Sequence, residues 1–387
     1  MTEIKIIKHT TPKHLEETYS KISNIEDEPI ALLIPSDLAQ YRFGLLADIL
    51  KLIITINSNC DIKIVKLDFA SSELDKFYEQ EYSYPIVALL WNTAEFVDKD
   101  GKNIKSLLRE KQNEFFIKMN SFEKFKGNKH IWVNTDHLSK GKGLIRLLEN
   151  SNGFNDDEEK IANTVKKILT KNILTFKKQN LIEVEDILED IGAIVYELTK
   201  NTFEWGRTDS NSVEIPSSVR GAYLRFHINK KEKIIEEYKS TPIATFFSHQ
   251  RIEKEYLNHL KRVYYLEIVV FDSGVGFIDK FHQQDEVDDL SIIKKCLIKN
   301  QTSSTSNLKS KKGIGLDRIL RILDKKGFLK ISTDKYNVYR DLIKDNYVPV
   351  KNNNLKDLVI EDWNQDGFEN QIKAQGSFIS ILYPFKN

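Results

Sequence analysis

The run Leu266-Glu267-Ile268-Val269-Val270-Phe271 stops at Asp272-Ser273-Gly274-Val275-Gly276. The run is almost wholly apolar and reads as a strand. A chain that carries it must build a sheet with a carboxylate at one strand end. The two glycines that follow let backbone approach a ligand closely or take a positive φ. An Asp in such a place can accept from the exocyclic amine of a base. Alone, the segment is also compatible with an ordinary strand-end turn.

The chain has 387 residues and weighs 45.0 kDa, long for one domain and suited to two. Hydrophobic residues make up 40% and charged residues 30%, the profile of a globular chain rather than a disordered one. With no apolar run of about 18 residues, no membrane span is expected. The N-terminal MTEIKIIKHTTPKH lacks the apolar centre of a secretory signal, so a cytoplasmic protein is expected. Cys60 and Cys296 are too few for a disulfide framework or a Cys-rich zinc site. Lys and Arg number 58 against 57 Asp and Glu, a net charge of +1. No global field points to a membrane or to nucleic acid, and neither is expected as a partner.

The first 150 residues read as an α/β domain. Ala31–Pro35 and Ile62–Leu67 have the character of strands, and Leu45, Leu46, Ile49, Leu50, Ile53 and Ile54 recur at helical spacing between them. The apolar runs Pro85–Trp91 and Ile131–Asn134 extend the alternation, so they are expected as further strands. The Gly-rich His137–Leu144 lacks the spacing of a phosphate-binding P-loop and reads as a loop opening a helix. Composition shifts at Ser151–Lys160 (SNGFNDDEEK), which marks a linker or helix start, and 151–180 is expected to connect two domains. Val184, Ile187, Leu188, Ile191, Ile194, Val195 and Leu198 then form one apolar stripe of a long helix. Strands are expected at 222–228, 263–271, 328–332 and 378–382, interrupted by polar insertions near 229–262 and 334–375.

Three more segments join Asp272. Glu197 and Asn201 stand four apart and project from one face of the long helix. A carboxylate and a carboxamide so placed can polarise water and ligate a hard cation. Lys311-Lys312-Gly313-Ile314-Gly315-Leu316 opens another helix, and N–H groups at a helix start beside lysines suit an anion. The polar stretch 300–310 before it suits a lid. Gln375-Gly376-Ser377-Phe378 enters the last strand and can bring a hydroxyl near a base.

In this order (E-x-x-x-N, D-x-G-x-G, G-x-G-L, G-S-F) the segments resemble the GHKL, or Bergerat-fold, histidine kinase-like ATPases over about residues 181–384. The resemblance implies an α/β (α+β) chain: an N-terminal α/β domain over 1–150, STAS-like in kind, and a GHKL sandwich with a mixed sheet over 181–387. It implies ATP and Mg²⁺ as cofactors. Glu197 would be the water-activating base and Asn201 the Mg²⁺ ligand. Asp272 would read the adenine, with Gly274 and Gly276 giving room at base and ribose. Lys311, Lys312, Gly313, Gly315 and Leu316 would form the phosphate segment, and Ser377 would help fix the base. Trp205 stands where kinase relatives carry His or Tyr, and Glu204 and Arg207 are read as surface groups.

The chain ends three residues after Pro384, so the transducer domain of gyrase-type relatives is not expected. No His lies between His137 and His227, so a sensor kinase's phospho-accepting hairpin is not expected either. His249 and His282 match no such motif. The resemblance is to stand-alone bacterial members, some serving stress or phage defence. It implies a slow Mg-dependent ATPase switch acting on a protein partner, with a homodimer as one arrangement. The alternatives are an anti-sigma-type serine/threonine kinase and a non-catalytic nucleotide-bound interaction module.

Overall fold

The computed structural model describes residues 1–22, 25, 28–136, 138, 142–174, 181–281, 288–298, 315–350, 354–363 and 373–386. It is an α+β chain with its parallel and antiparallel pairings kept in separate sheets. The first sheet is β1 (Thr2–Lys5), β2 (Ile30–Ile34), β3 (Ile62–Leu67) and β4 (Glu95–Val97), parallel and in sequence order. Its crossovers carry α1 (Pro12–Ile22), α2 (Leu45–Asn59), α3 (Leu74–Tyr78) and α4 (Ser83–Leu90), and α5 (Lys105–Asn120) follows β4. Parallel strands need such crossovers and are covered by them, which is why β2 reads as an unbroken apolar run.

The run Pro85–Trp91, expected as a strand, is instead the body of α4, whose eight residues are all buried. A helix covered on every side has no polar face to betray its period, so it looks like a core strand in sequence. Pro85 sits in its first turn, where a missing N–H costs nothing.

The second sheet has seven strands in the order β12-β11-β10-β13-β9-β8-β5, every pair antiparallel. These are β5 (Lys129–Thr135), β8 (Val219–Lys230), β9 (Arg262–Asp272), β10 (Phe328–Asp334), β11 (Tyr336–Asp341), β12 (Glu361–Asp362) and β13 (Ala374–Phe385); β6 (Glu149–Asn150) and β7 (Gly153–Phe154) form a separate small hairpin. The run Ile131–Asn134 is thus a strand, but in this sheet and not the first. Lys129 lies opposite Arg225 and Thr135 opposite Val219. The expected boundary at 150 therefore falls after a strand that the second sheet contains.

On one face of this sheet lies α7 (Leu181–Trp205), packed on β8 and β9 and flanked by α6 (Glu158–Ile168) and α12 (Gly315–Leu323). The Asp157 side chain accepts from Lys160 N at 3.0 Å and caps α6, as the acidic shift at 151–160 suggested. Leu188, Ile191, Ile194, Val195 and Leu198 of the expected α7 stripe are buried; the Val184 side chain lies outside the described residues. On the other face α2 is laid against β13, and α4 against β5 and β8. Alternation along β9 separates the two faces. Glu267 accepts from Gly44 N just before α2 at 2.7 Å, whereas Leu266 and its partner Tyr383 point the other way, where Lys326 stands 4.8 Å over the Tyr383 ring.

The 229–262 insertion, expected only as polar, holds α8 (Lys231–Glu237) and α9 (Pro242–Phe247). They seal a second small core in which Ile234, Phe246 and Phe247 pack with Phe43 and Leu382. Two short helices, α10 (Phe277–Phe281) and α11 (Asp289–Cys296), follow β9.

Candidate functional site

Sheet register brings distant segments into one row. Asp272, the last residue of β9, lies opposite Arg220 of β8 and Ser377 of β13, and Ser377 lies opposite Thr333 of β10. Asp272 is 5% exposed. Its Oδ1 accepts from Gly274 N at 2.9 Å. Burial pushes its carboxyl up to about 7, against backbone hydrogen bonds from Gly274 and Ser377 and the pull of Arg220. A carboxyl poised there converts between acceptor and donor near neutrality.

α7 runs directly into this row. Gly206, which follows the helix, sits against the Asp272 side chain, and a Cβ on Gly274 would lie 2.9 Å from both Gly206 Cα and Asp272 Oδ1. Gly276 has φ +89°, and a Cβ there would stand 2.6 Å from Asp334 Oδ2. The space at both glycines is taken by the protein's own atoms: glycine here lets the turn close on α7 and β10. From Gly206, Asn201 is five residues back and Glu197 nine, about 7 and 13 Å along the helix axis. Both are half-buried. Burial raises the Glu197 carboxyl above the ordinary range, with Arg318 opposing; Arg318 Nη1 is 3.7 Å from its Oε1. The site is therefore elongated, with Asp272 and Ser377 at one end and Glu197 with Asn201 toward the other.

Gly315 opens α12, which packs on α7. Leu316 is buried in the main core, so its side chain serves packing. Lys311, Lys312, Gly313 and the polar stretch 300–310 lie outside the described residues, as does His282. Glu204 is half-buried. Arg207 is not a free surface group: it pairs with Asp136 at 3.3 Å and lies over the Phe203 ring at 4.7 Å. His249 is tied to Asp341 at 2.6 Å. A cavity of about 400 Å³ lies beside α7, lined by Gly153, Phe154, Lys200, Phe203, Glu204 and Arg207. It opens on the flank next to the Glu197–Asn201 face and not over Asp272.

Two residues that the sequence did not single out complete the row. Thr333 Oγ1 accepts from Phe277 N at 2.8 Å, and Asp334 Oδ2 accepts from Ile278 N at 3.0 Å, so together they cap α10. Asp334 holds φ +51°, its Oδ1 is buried with no hydrogen-bond partner among the described residues, and burial pushes its carboxyl up to about 6. The signal was Thr-Asp closing an apolar strand, too common to stand out.

Among the described residues no group of three or more His, Cys, Asp or Glu converges on a point that suits a metal ion. Asn201 supplies a hard oxygen donor, its carboxamide, one helical turn from Glu197. That fits an ion such as Mg²⁺, which keeps most of its shell as water and substrate phosphate. The chain shows significant similarity to no protein-family model, no curated protein and no solved structure.

Proposed function

We propose that this chain binds Mg·ATP at the row ending in Asp272 and hydrolyses it slowly, as a GHKL-type switch acting on a protein partner. One observation carries the reading. Segments separated by the length of the second unit meet, with the carboxyl and hydroxyl of one end aligned across strands and the Glu–Asn pair on the helix that abuts them. Asp272, in its ionised form, accepts the exocyclic amine of adenine, and the Ser377 hydroxyl holds the ring edge. Asn201 holds the metal through its carboxamide oxygen. Backbone N–H groups of Gly313 and Gly315, with Lys311 and Lys312, receive phosphate. When bound, the Mg²⁺ ion supplies charge neutralisation to the phosphates. Glu197 takes the proton from water, a role that suits a half-buried carboxylate of raised basicity.

Nucleotide binding and steady-state turnover of wild type, Glu197→Gln and Asn201→Ala, each with and without Mg²⁺, test this. Glu197→Gln should bind within about threefold of wild type and lose turnover by about 10²-fold or more. Asn201→Ala should lose the Mg-dependent part of binding. Wild type that binds no adenine nucleotide would end the proposal, and binding without turnover would leave a nucleotide-held interaction module.

A further inference from the structure

On the site face of the second sheet α7 lies between α6 and α12, and one side chain reaches across the three helices. Arg318, one turn into α12, donates from Nη1 to Glu158 Oε1 of α6 at 2.6 Å. The same nitrogen lies 3.7 Å from Glu197 Oε1 of α7, the helix between. Glu158 and Glu197 therefore compete for one guanidinium. Glu158 wins the hydrogen bond. It is the first residue of α6, where the helix dipole favours negative charge. Glu197 has the greater need: its side chain is 17% exposed against 44% for Glu158, so water screens it less.

We propose that Arg318 is a positioning residue for Glu197, and that Glu158 sets how much of its charge Glu197 receives. This rests on Glu197 being the water-activating base. Among the described residues, the charges that act most on Glu197 are Arg318 from α12, Glu158 from α6, Asp156 from the segment before it, and Lys200 from its own helix. Lys200 is already held by Asp156 at 2.6 Å and by Tyr196. The adjustable balance is thus between Arg318, which favours the ionised base, and Glu158, which both repels Glu197 and draws Arg318 away. Arg318 also follows Gly315 by three residues, so this balance sits in the first turn of α12. A helix packing role alone would make all substitutions at these positions act in one direction. A charge balance makes them act in opposite directions.

The test is the pH dependence of ATP turnover by the full chain, for wild type, Arg318→Met, Arg318→Lys and Glu158→Gln. A second readout is carboxyl-carbon NMR titration of Glu197 in the nucleotide-free protein, assigned with Glu197→Gln. The base works when ionised, so turnover falls as pH drops through its pKa. Arg318→Met should move the acidic limb and the NMR midpoint up by about half to one pH unit, less than for a fully buried pair because the arginine is partly solvated. Glu158→Gln should move both down. Arg318→Lys should fall between wild type and Arg318→Met, because an ammonium cannot serve two carboxylates as the planar fork does. Shifts of the same sign in Arg318→Met and Glu158→Gln, or no shift in either, would overturn the proposal. If wild type neither binds nor hydrolyses ATP, the nucleotide reading fails, and the NMR midpoints alone decide whether Arg318 holds the Glu197 charge.

Discussion

Glu81 and Glu267 under α2 and α4, and Asp272 and Asp334 at the strand ends, are all buried carboxyl groups, and the seven-stranded sheet treats the two pairs oppositely. On the face covered by α2 and α4, Glu81 receives Lys129, Arg225 at 3.0 Å and the Tyr223 hydroxyl at 3.1 Å. Burial pushes that carboxyl up, but Lys129 and Arg225 outweigh it and hold it at about 2. Glu267 beside it receives Gly44 N at 2.7 Å, the Tyr41 hydroxyl at 3.3 Å and His227 at 2.8 Å. Every oxygen of both carboxylates has a partner. At the end of the sheet where α7 arrives, Asp272 is held at about 7 and Asp334 keeps an oxygen with no partner among the described residues. A fully partnered buried carboxylate joins two layers. An under-partnered one stores a cost that a ligand can relieve, which is why perturbed carboxyls mark candidate sites.

The largest way to break this contrast is to strip the satisfied side. Lys129→Met should destabilise the chain by about 3 kcal/mol in denaturant unfolding, because it removes one partner of a buried pair while Arg225 and Tyr223 remain. A loss under about 1 kcal/mol would mean that the network is ornamental. The contrast sharpens with pH. Asp272 is raised from 3.8 to about 7 in the fold, so its favourable contribution is full below about pH 4 and is lost as pH rises toward 7. Glu81 is lowered from 4.5 to about 2, so its contribution is present above about 4.5 and is lost as pH falls toward 2. Thermal melts from pH 4.5 to 8 should show a decline that Asp272→Asn flattens, and an unchanged slope would refute the assignment. The smallest effect is at the seam. Thr55 of α2 accepts from Gln375 N at 3.0 Å, and the Gln375 side chain reaches the Gly274 carbonyl at 2.5 Å. Thr55→Val should cost about 1 kcal/mol, the penalty of one orphaned N–H, read as a shift in the denaturant midpoint at constant slope.

What could be read from the residues follows the same division. β3 and the α7 stripe were legible because each buries one face and exposes or pairs the other, leaving its period in the sequence. Asp272 was legible because Gly274 and Gly276 follow the carboxylate that ends the apolar run. α4 was not, because burial on all sides erases periodicity. β5 was visible as a strand but not as a member of the second sheet, since sequence proximity favours the nearer sheet and only pairing with β8 decides otherwise. Thr333 and Asp334 act through backbone N–H groups of a helix more than fifty residues earlier, a contact that no local pattern encodes. The small core under α8 and α9 was hidden by the charged residues that share its segment. Arg318 looked like one polar residue on an amphipathic helix, and its meaning comes only from the two carboxylates it meets.

The placement of β5 also governs how the chain can be divided or assembled. The strand is synthesised long before β8, the neighbour that pairs with it, so its pairing edge cannot be filled until β8 has been made. A fragment beginning after residue 150 would carry β8 as a long bare edge, the kind that recruits other chains. The two units therefore cannot be exchanged as cassettes at the point where composition changes. Nor would a cut upstream of Lys129 free them, because α2 and α4 cover one face of the second sheet.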